Sequence, residues 1–264
     1  MTSWKALNEE LDRWRDLGRV AAFWWRDDDV GAPTPALDRL LALRQARGLP
    51  LALAVVPAGT AKPLLWRLAG VRRLSLLQHG YAHRNHASAD EKKIELGPHR
   101  PPARVTAELA AGREKLERLF GRRFHPIMVP PWNRIDARIV AALPRGGFTG
   151  VSTFGPRSAR LAAPGLVQVN CHIDVMDWAR RRFAGTAPVL GQAIRHLRAR
   201  REGAADPKEP TGLMTHHLVH DRAAWEFIAR FLDVTAAHPA GRWVAAAQAF
   251  RPAAAAGRNT DRAA

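Results

Sequence analysis

The chain has 264 residues, 47% of them hydrophobic, which excludes a disordered polypeptide and allows one large α/β domain or two small ones. The only cysteine, Cys171, excludes a disulfide framework within the chain and any cysteine-rich zinc site. The 41 lysines and arginines against 24 acidic residues give a formal net charge of +17, but they are scattered along predicted helices without interleaved aromatic residues, so we do not expect a nucleic-acid partner.

The sequence carries no signal for export or for membrane insertion. Its first 18 residues form a mixed amphipathic segment rather than a basic start followed by an apolar run. No window offers the run of apolar residues that a membrane span needs. We therefore expect a cytoplasmic protein, and no motif predicts its oligomeric state.

Helix signals and apolar runs of strand length alternate along the chain. The first helix has Ser3 as its N-cap and Gly18 at its end, and the second has Thr34 as its N-cap followed by Pro35. The predicted elements follow in this order: helix 3–18, strand 19–26, helix 34–48, strand 51–57, helix 61–69, strand 73–78, helix 103–121, strand 124–130, helix 134–147, strand 148–153, strand 165–171, helix 187–202, strand 211–216 and helix 221–238.

Seven short strands, mostly separated by helices, predict a parallel α/β architecture, either closed into a barrel or open and doubly wound. Residues 87–101 read as an irregular excursion with several charges. We expect one domain over residues 1–250 and a disordered tail over 251–264, which has too little apolar surface to bury.

Ionisable and aromatic residues cluster at the carboxyl ends of five of the seven predicted strands. The clusters are RDDDVG at 26–31, HGYAH at 79–83, PPWNR at 130–134, CHIDVMDW at 171–178 and THH at 215–217. Because the loops at the carboxyl ends of parallel strands converge, these residues are expected to share one rim. The sequence therefore predicts a functional site at that rim.

Two histidines four residues apart, at the end of the third strand, point to a metal. Neutral imidazoles with one carboxylate from the aspartates at 27–29 suit zinc and leave positions open for water and substrate. Such an ion polarises a carbonyl and lowers the pKa of water, while a second carboxylate takes a proton from that water. His216 or His217 would then protonate the leaving group. His86, the third histidine of this stretch, is expected to cap a turn or lie exposed.

In this order the clusters resemble the motifs of the polysaccharide deacetylase family, carbohydrate esterase family four. RDDDV corresponds to Thr-Phe-Asp-Asp-Gly, HGYAH to His-(Ser/Thr)-x-x-His, VPPWN to Arg-x-Pro-(Tyr/Trp), DVMDW to Asp-x-x-Asp-Trp and MTH to Leu-x-His. The resemblance spans residues 26–217 and implies a distorted seven-stranded (β/α) barrel. It also implies hydrolysis of N- or O-acetyl groups on sugars with a divalent metal, commonly zinc.

The resemblance implies a role for each matched residue. Asp28 would be the catalytic base and His216 the general acid, tuned by Asp177 of the fourth motif, in which Asp174 is the other aspartate. The metal ligands would be Asp29, His79 and His83. Zinc is the expected ion, and cobalt, nickel or manganese would accept the same ligands.

The first and third motifs depart from the family pattern. Val129 stands where the family has the arginine that holds the base, and either Arg26 or Arg134 could supply that charge. Val30 replaces the glycine of the first motif, and Asp27 takes the place of an apolar residue. These departures mark a divergent member.

The sequence thus predicts a metal-dependent deacetylase that acts on an acetylated sugar or glycan. Its two site tryptophans could stack on a sugar ring or pack in the core. The residues expected to contact substrate are Trp132, Asn133, Arg134, Trp178 and His217, the last also being the alternative acid. Two other interpretations remain: an inactive glycan-binding protein, suggested by the missing arginine, and a nucleic-acid-binding protein, suggested by the net charge.

Overall fold

Strands and covering helices alternate along the chain, in a computed structural model that describes residues 2–252. The strands are β1 (Ala21–Val30), β2 (Leu51–Val55), β3 (Leu74–His79), β4 (Phe124–Val129), β5 (Gly150–Val151), β6 (Leu161–Ala163), β7 (Leu166–Gln168), β8 (Ile173–Asp174), β9 (Met176–Asp177), β10 (Arg182–Phe183), β11 (Thr211–Thr215) and β12 (Gly241–Trp243). The helices are α1 (Trp4–Asp16), α2 (Pro35–Gln45), α3 (Lys62–Leu68), α4 (Pro102–Phe120), α5 (Ala137–Ala142), α6 (Thr186–Glu202), α7 (Arg222–Ala237) and α8 (Ala246–Ala249). From residue 253 onward, the predicted tail lies outside the described residues.

The sheet is parallel around its central strand, β1, which pairs with β2 on one side and β11 on the other. Beyond β2 the order continues through β3, β4, β5 and β7. The segment 166–174 joins the two ends of this order, because β7 pairs with β5 while β8 pairs with β11. Between them the N–H of Cys171 donates to the carbonyl of Thr153. This arrangement confirms the prediction of a distorted, barrel-like ring of seven strand positions.

Strand β1 is longer than the sequence predicted. It runs through all three aspartates to Val30, whereas the prediction ended it at Arg26. Asp27 is paired with Thr215 on β11 and with Leu53 on β2, and the register then shifts before Val30. The predicted end was wrong because pairing with two neighbouring strands outweighs the low strand propensity of aspartate.

Other boundaries differ because local chemistry ends the elements early. The predicted helix 134–147 begins only after Asp136, whose side chain accepts the N–H of Arg138, and a 3₁₀ turn replaces its last part at Leu143–Gly146. Pro144 has no N–H to continue the helical hydrogen bonds. The predicted strands 148–153 and 165–171 contract to β5 and β7, and the short strands β6, β9, β10 and β12 had no sequence signal.

The first two helices begin at the predicted caps. The Ser3 hydroxyl accepts the N–H of Ala6 at 3.2 Å, and the Thr34 hydroxyl accepts the N–H of Leu37 at 3.0 Å. Each cap satisfies a backbone donor that the first helical turn leaves without a partner. None of the helices within residues 2–252 combines the length and the apolar content needed to cross a bilayer.

Side chains of β1 alternate between two layers and thereby aim charged groups into the barrel. Phe23 and Trp25 pack in the cluster between the strands and the helices, whereas Trp24 packs in a separate interior cluster. Arg26 and Asp28 continue the alternation of Trp24 and contact each other. The interior is therefore polar at the carboxyl end of β1, at Arg26 and Asp28, whereas it is apolar at Trp24.

Candidate active site

Asp29, His79 and His83 converge at the carboxyl ends of β1 and β3, and we call them the rim triad. The Oδ1 atom of Asp29 lies 3.0 Å from Nε2 of His79 and 3.1 Å from Nε2 of His83. The three donor atoms all lie within 4.8 Å of one another. Strand pairing explains the meeting, because β2 alone separates β1 from β3 in the sheet.

The hydrogen bonds of the rim triad suit a cation. Nδ1 of His79 lies 3.0 Å from the carbonyl oxygen of Val129 and donates its proton there, so that Nε2 faces Asp29. A backbone carbonyl that accepts the other ring N–H fixes the tautomer that a metal-binding imidazole needs. Burial by itself would raise the pKa of Asp29, but hydrogen bonds with His79 and His83 hold that pKa far below its usual value. Asp29 is therefore an anion.

The backbone around the triad adopts a conformation that L-residues rarely take. Asp29 has φ of 68° and His83 has φ of 53°, while Trp132 and Asn133, on the loop after β4, have φ of 56° and 55°. Left-handed backbone of this kind is uncommon outside glycine and persists where the surrounding structure imposes it, often at functional sites. Four of the six such non-glycine residues within 2–252 belong to this site.

Asp28, one residue before Asp29 of the rim triad, is held by a buried arginine. Nη2 of Arg26 donates to Oδ2 of Asp28 at 2.9 Å, and Nε lies 2.8 Å from Oδ1. The same guanidinium donates to Oδ1 of Asn133 at 2.7 Å and to the hydroxyl of Ser152 at 2.7 Å. Burial would lower the pKa of Arg26, but Asp28 raises it above its usual value, so the guanidinium stays charged.

Of the two candidate arginines, Arg26 is the one that holds Asp28. The two residues share one face of β1. Arg134, the other candidate, instead donates to the carbonyl oxygen of Lys93, in the excursion 87–101, at 2.8 Å. The guanidinium that the third motif lacks at Val129 is thus supplied from the first motif.

His216 lies on the other side of Asp28, at the end of β11. Its Nε2 atom is 3.9 Å from Oδ2 of Asp28, and its ring stands edge-on to the indole of Trp178 with centroids 4.6 Å apart. The indole N–H of Trp178 donates to Oδ2 of Asp174 at 2.7 Å, and burial raises the pKa of this carboxyl. An imidazole and a carboxylate therefore face each other beside the rim triad.

Asp177, expected to tune His216, has other partners. It accepts the backbone N–H groups of Ala179 and Arg180 at 3.1 Å each and pairs with the Arg180 guanidinium at 3.0 Å. The hairpin of β9 and β10 turns it away, and within residues 2–252 it makes no hydrogen bond or ion pair with His216. The aspartate linked to His216 through Trp178 is Asp174 instead.

Comparison with known proteins places this geometry in context. No protein-family model matches the sequence, and no curated protein sequence matches it either. Solved structures do match: Bc1960, a peptidoglycan N-acetylglucosamine deacetylase, superposes with a TM-score of 0.55 at 16% identity, over 90% of this chain and 95% of the other. A family 4 acetyl xylan esterase from Clostridium thermocellum, in complex with a cobalt ion, gives 0.53 at 12% identity, over 87% and 90% of the two chains.

The chain has the polysaccharide deacetylase fold. A mutant of BA3943, a family 4 pseudoenzyme, with restored enzymatic activity also superposes. Its TM-score is 0.56 at 11% identity, over 88% of this chain and 68% of the other. At identities this low the likeness concerns the fold, and what the site does depends on the side chains of this chain.

Two tryptophans flank the site within the deacetylase fold. The Trp132 ring lies 4.5 Å from the ring of His83, at the triad end, and Trp178 stands beside His216 at the other end. Trp178 is 47% exposed, which is unusual for a core residue. This exposure argues against the interpretation of Trp178 as a plain core residue.

His217, the alternative acid, is buried in an ion pair with Asp27. Its Nδ1 atom lies 2.5 Å from Oδ1 of Asp27, while Oδ2 of Asp27 accepts from the Thr215 hydroxyl at 2.6 Å. Burial would lower the pKa of His217, but Asp27 raises it. The pair ties the end of β11 to β1, which explains how an aspartate fits where the family has an apolar residue.

Sequence reasoning missed Glu95, which shapes the loop between the two triad histidines. Its carboxylate, 1% exposed, accepts the backbone N–H of Tyr81 at 3.2 Å and of Ala82 at 2.7 Å. Gly80 has φ of 53°, and a Cβ there would lie 2.0 Å from Oε2 of Glu95. The residue sits in the excursion 87–101, where a charged residue is normally solvated and no pattern distinguishes it. His86, just before this excursion, donates its backbone N–H to the carbonyl oxygen of Ile94 and is not part of the rim triad.

Proposed function

We propose that this protein is a metal-dependent hydrolase that removes an acetyl group, most readily an N-acetyl group, from a sugar or glycan. The observation that carries the proposal is that Asp28 and His216, whose Oδ2 and Nε2 atoms are 3.9 Å apart, lie next to the rim triad. The fold, shared with structures of sugar deacetylases and esterases, supports it.

The rim triad fits a divalent cation. It offers two imidazole nitrogens and one anionic carboxylate oxygen, the ligand set of many catalytic zinc sites, and cobalt, nickel or manganese accept the same donors. When bound, such an ion would polarise the acetyl carbonyl and lower the pKa of a nearby water. The hydrogen bond from Nδ1 of His79 to the carbonyl oxygen of Val129 would orient the His79 imidazole toward the ion.

The residues beside the triad would move the protons. Asp28 would take a proton from the attacking water, and Arg26 would hold the carboxylate in place as an anion. His216 would protonate the amine as the carbon–nitrogen bond breaks, with its ring positioned by Trp178. The exposed face of Trp178 would contact the sugar that carries the leaving amine.

An acetate-release assay tests this function. The purified protein, supplied in turn with each of the four metals, would be incubated with N-acetylglucosamine, N-acetylated chito-oligosaccharides and acetylated xylo-oligosaccharides. We expect release that chelators abolish and that Asp28→Asn lowers by about 10²- to 10⁴-fold. Absence of release with every metal and substrate would overturn the proposal.

The same Asp28→Asn protein separates catalysis from simple glycan binding. The inactive alternative predicts oligosaccharide binding with no turnover to lose. Its original support, the valine at position 129, is weakened because Arg26 pairs with Asp28 from the first motif. The cytoplasmic location stays a prediction, and salt-sensitive binding to nucleic acid would be the sign of the other alternative.

A further inference from the structure

A cavity lies beside the candidate reaction centre. It has a volume of about 560 Å³ and lies between α6 and the residues after β5, with Asp174 in its wall. Binding pockets for small molecules have volumes of about 300–1,000 Å³, so the cavity is large enough for a sugar ring. It does not include the rim triad.

Short contacts connect this cavity to the reaction centre. His216 lies 3.9 Å from Asp28, the Trp178 ring lies 4.6 Å from that of His216, and Trp178 donates to Asp174 at 2.7 Å. Asp174 then lines the cavity. If His216 protonates the leaving amine, as the proposed function requires, the sugar that bears the amine lies next to Trp178, whose indole hydrogen-bonds to a residue of the cavity wall.

Two buried histidines contribute to the wall, and together with Glu209 we call them the stacked cluster. The rings of His172 and His196 are parallel within 12°, with centroids 3.4 Å apart. Nδ1 of His196 contacts the hydroxyl of Thr211 at 2.9 Å, while its Nε2 atom has no hydrogen-bond partner among residues 2–252. A buried polar atom beside a cavity, with no protein partner, favours a ligand that completes its hydrogen bond.

The stacked cluster is not a second metal centre, although its donor atoms also lie within 4.8 Å of one another. Nδ1 of His172 accepts the N–H of Gly212 at 3.0 Å, so Nε2 carries the proton and has no lone pair for a cation. The lone pairs of two stacked, parallel rings cannot converge on one ion. Both oxygens of Glu209 are also engaged, by the N–H groups of Arg157 and Asn170.

The remaining walls fit an uncharged, hydroxyl-bearing ligand. Besides the two histidines, the wall has one acidic and one basic side chain, Asp174 and Arg195, so it is not the cluster of basic groups that would select an anion. Burial lowers the pKa of both histidines, that of His196 to about 2, and both are therefore neutral hydrogen-bonding groups. Phe154, 44% exposed, offers an apolar ring face of the kind on which sugars stack.

We propose that this cavity binds a second sugar ring of the substrate, which stacks on Phe154 and hydrogen-bonds to His196. The inference rests on the proposed function and specifies its substrate as a saccharide of at least two units. The ring in the cavity lies on the leaving-group side of His216.

Binding measurements on a non-hydrolysing protein test the inference. Full-length Asp28→Asn protein would be titrated calorimetrically with N-acetylated chito-oligosaccharides and acetylated xylo-oligosaccharides of one to four units. We expect at least one series to gain affinity by about tenfold or more from one unit to two, and Phe154→Ala to remove that gain. Phe154 is partly exposed, so the variant is not expected to misfold.

Trp66→Ala is the matched control, because this aromatic residue is 67% exposed on α3, away from the cavity wall. It should keep the whole gain. The inference is overturned if neither series gains affinity beyond one unit, or if the gain survives Phe154→Ala. A length-dependent gain lost in Phe154→Ala, without acetate release by the unmutated protein, would support the cavity and contradict the proposed reaction. Acetate release that depends neither on chain length nor on Phe154 would support the proposed reaction and contradict the role of the cavity.

Discussion

The rim triad and the stacked cluster each contain two imidazoles and one carboxylate, within the same distance limit. In the triad the backbone accepts a proton from His79, so Nε2 faces Asp29 as a donor atom for a cation. In the stacked cluster the backbone donates a proton to His172, so Nε2 keeps its own. Residue type and proximity are alike in the two places. The direction of one backbone hydrogen bond leaves the Nε2 lone pair of His79 available to a cation and leaves that of His172 unavailable.

Removing one histidine from each cluster tests the difference between the two clusters most directly. We expect His79→Ala to lower metal affinity by on the order of 100-fold or more, because a ligand is lost together with its orienting bond. His196→Ala should keep the metal content of the unmutated protein. Elemental analysis after dialysis measures both. Equal metal loss in the two variants would show that the clusters are not different in kind.

Arg26 tests the buried charge beside the triad. Arg26→Gln leaves the Asp28 carboxylate buried without its cation, and breaking a buried pair in this way costs about 3–5 kcal/mol of unfolding free energy. Urea denaturation measures this loss. Arg134→Gln, which removes only a surface bond to a carbonyl, should change the value by less than about 0.5 kcal/mol. Comparable effects of the two changes would refute the assignment of Arg26 as the partner of the base.

Glu95 tests how the loop of His83 is held. We expect Glu95→Gln to weaken metal binding by about 10- to 100-fold, because a neutral amide is a poorer acceptor for the two loop N–H groups. Excess metal should restore activity, which a folding defect would not allow. Glu91→Gln changes an exposed carboxylate of the same excursion and should leave the affinity as it is. An unchanged affinity in Glu95→Gln would contradict this role.

The stacked cluster gives a specific signal that is small over any one pH unit, in the pH dependence of stability. The pKa of His196 is lowered to about 2 by burial, so below its usual value of 6.5 the unfolded chain binds a proton that the folded chain does not. Its contribution to stability is therefore present above pH 6.5 and is lost as pH falls, by about 1.4 kcal/mol per pH unit. His196→Phe, which keeps a ring against His172, should reduce the slope by one proton. An unchanged slope between pH 6 and pH 5 would show that His196 is not buried and neutral.

The sequence predicted the positions that depend on the order of strands. Parallel strands bring their carboxyl ends together wherever their exact boundaries fall, so RDDDV, HGYAH and MTH had to meet at one rim. The errors at the ends of β1 and α5 did not matter, because the rim is set by strand order. Val129 illustrates the limit: its carbonyl holds His79, and no side-chain pattern reports a carbonyl.

Other features followed from packing across long stretches of chain. Glu95 is 14 residues from Tyr81 and 13 from Ala82, and its burial depends on the close approach that Gly80 permits. Asp174, and not Asp177, is the aspartate linked to His216 through Trp178, because of a hairpin of two-residue strands. Strands this short leave no periodic signal in the sequence.

By itself, the sequence determined the α/β class and one polar rim, because apolar runs and helix caps are local properties and parallel strands bring their carboxyl ends together. The choice of Asp29 among the three aspartates came from the family resemblance. Only the tertiary structure decided that Arg26 holds Asp28, that Asp27 pairs with His217, and that a second group of two histidines and a carboxylate is a cavity wall. The physical reason is the same in each case. A hydrogen bond depends on the direction of a donor and an acceptor, and that direction is fixed by elements far apart in the chain.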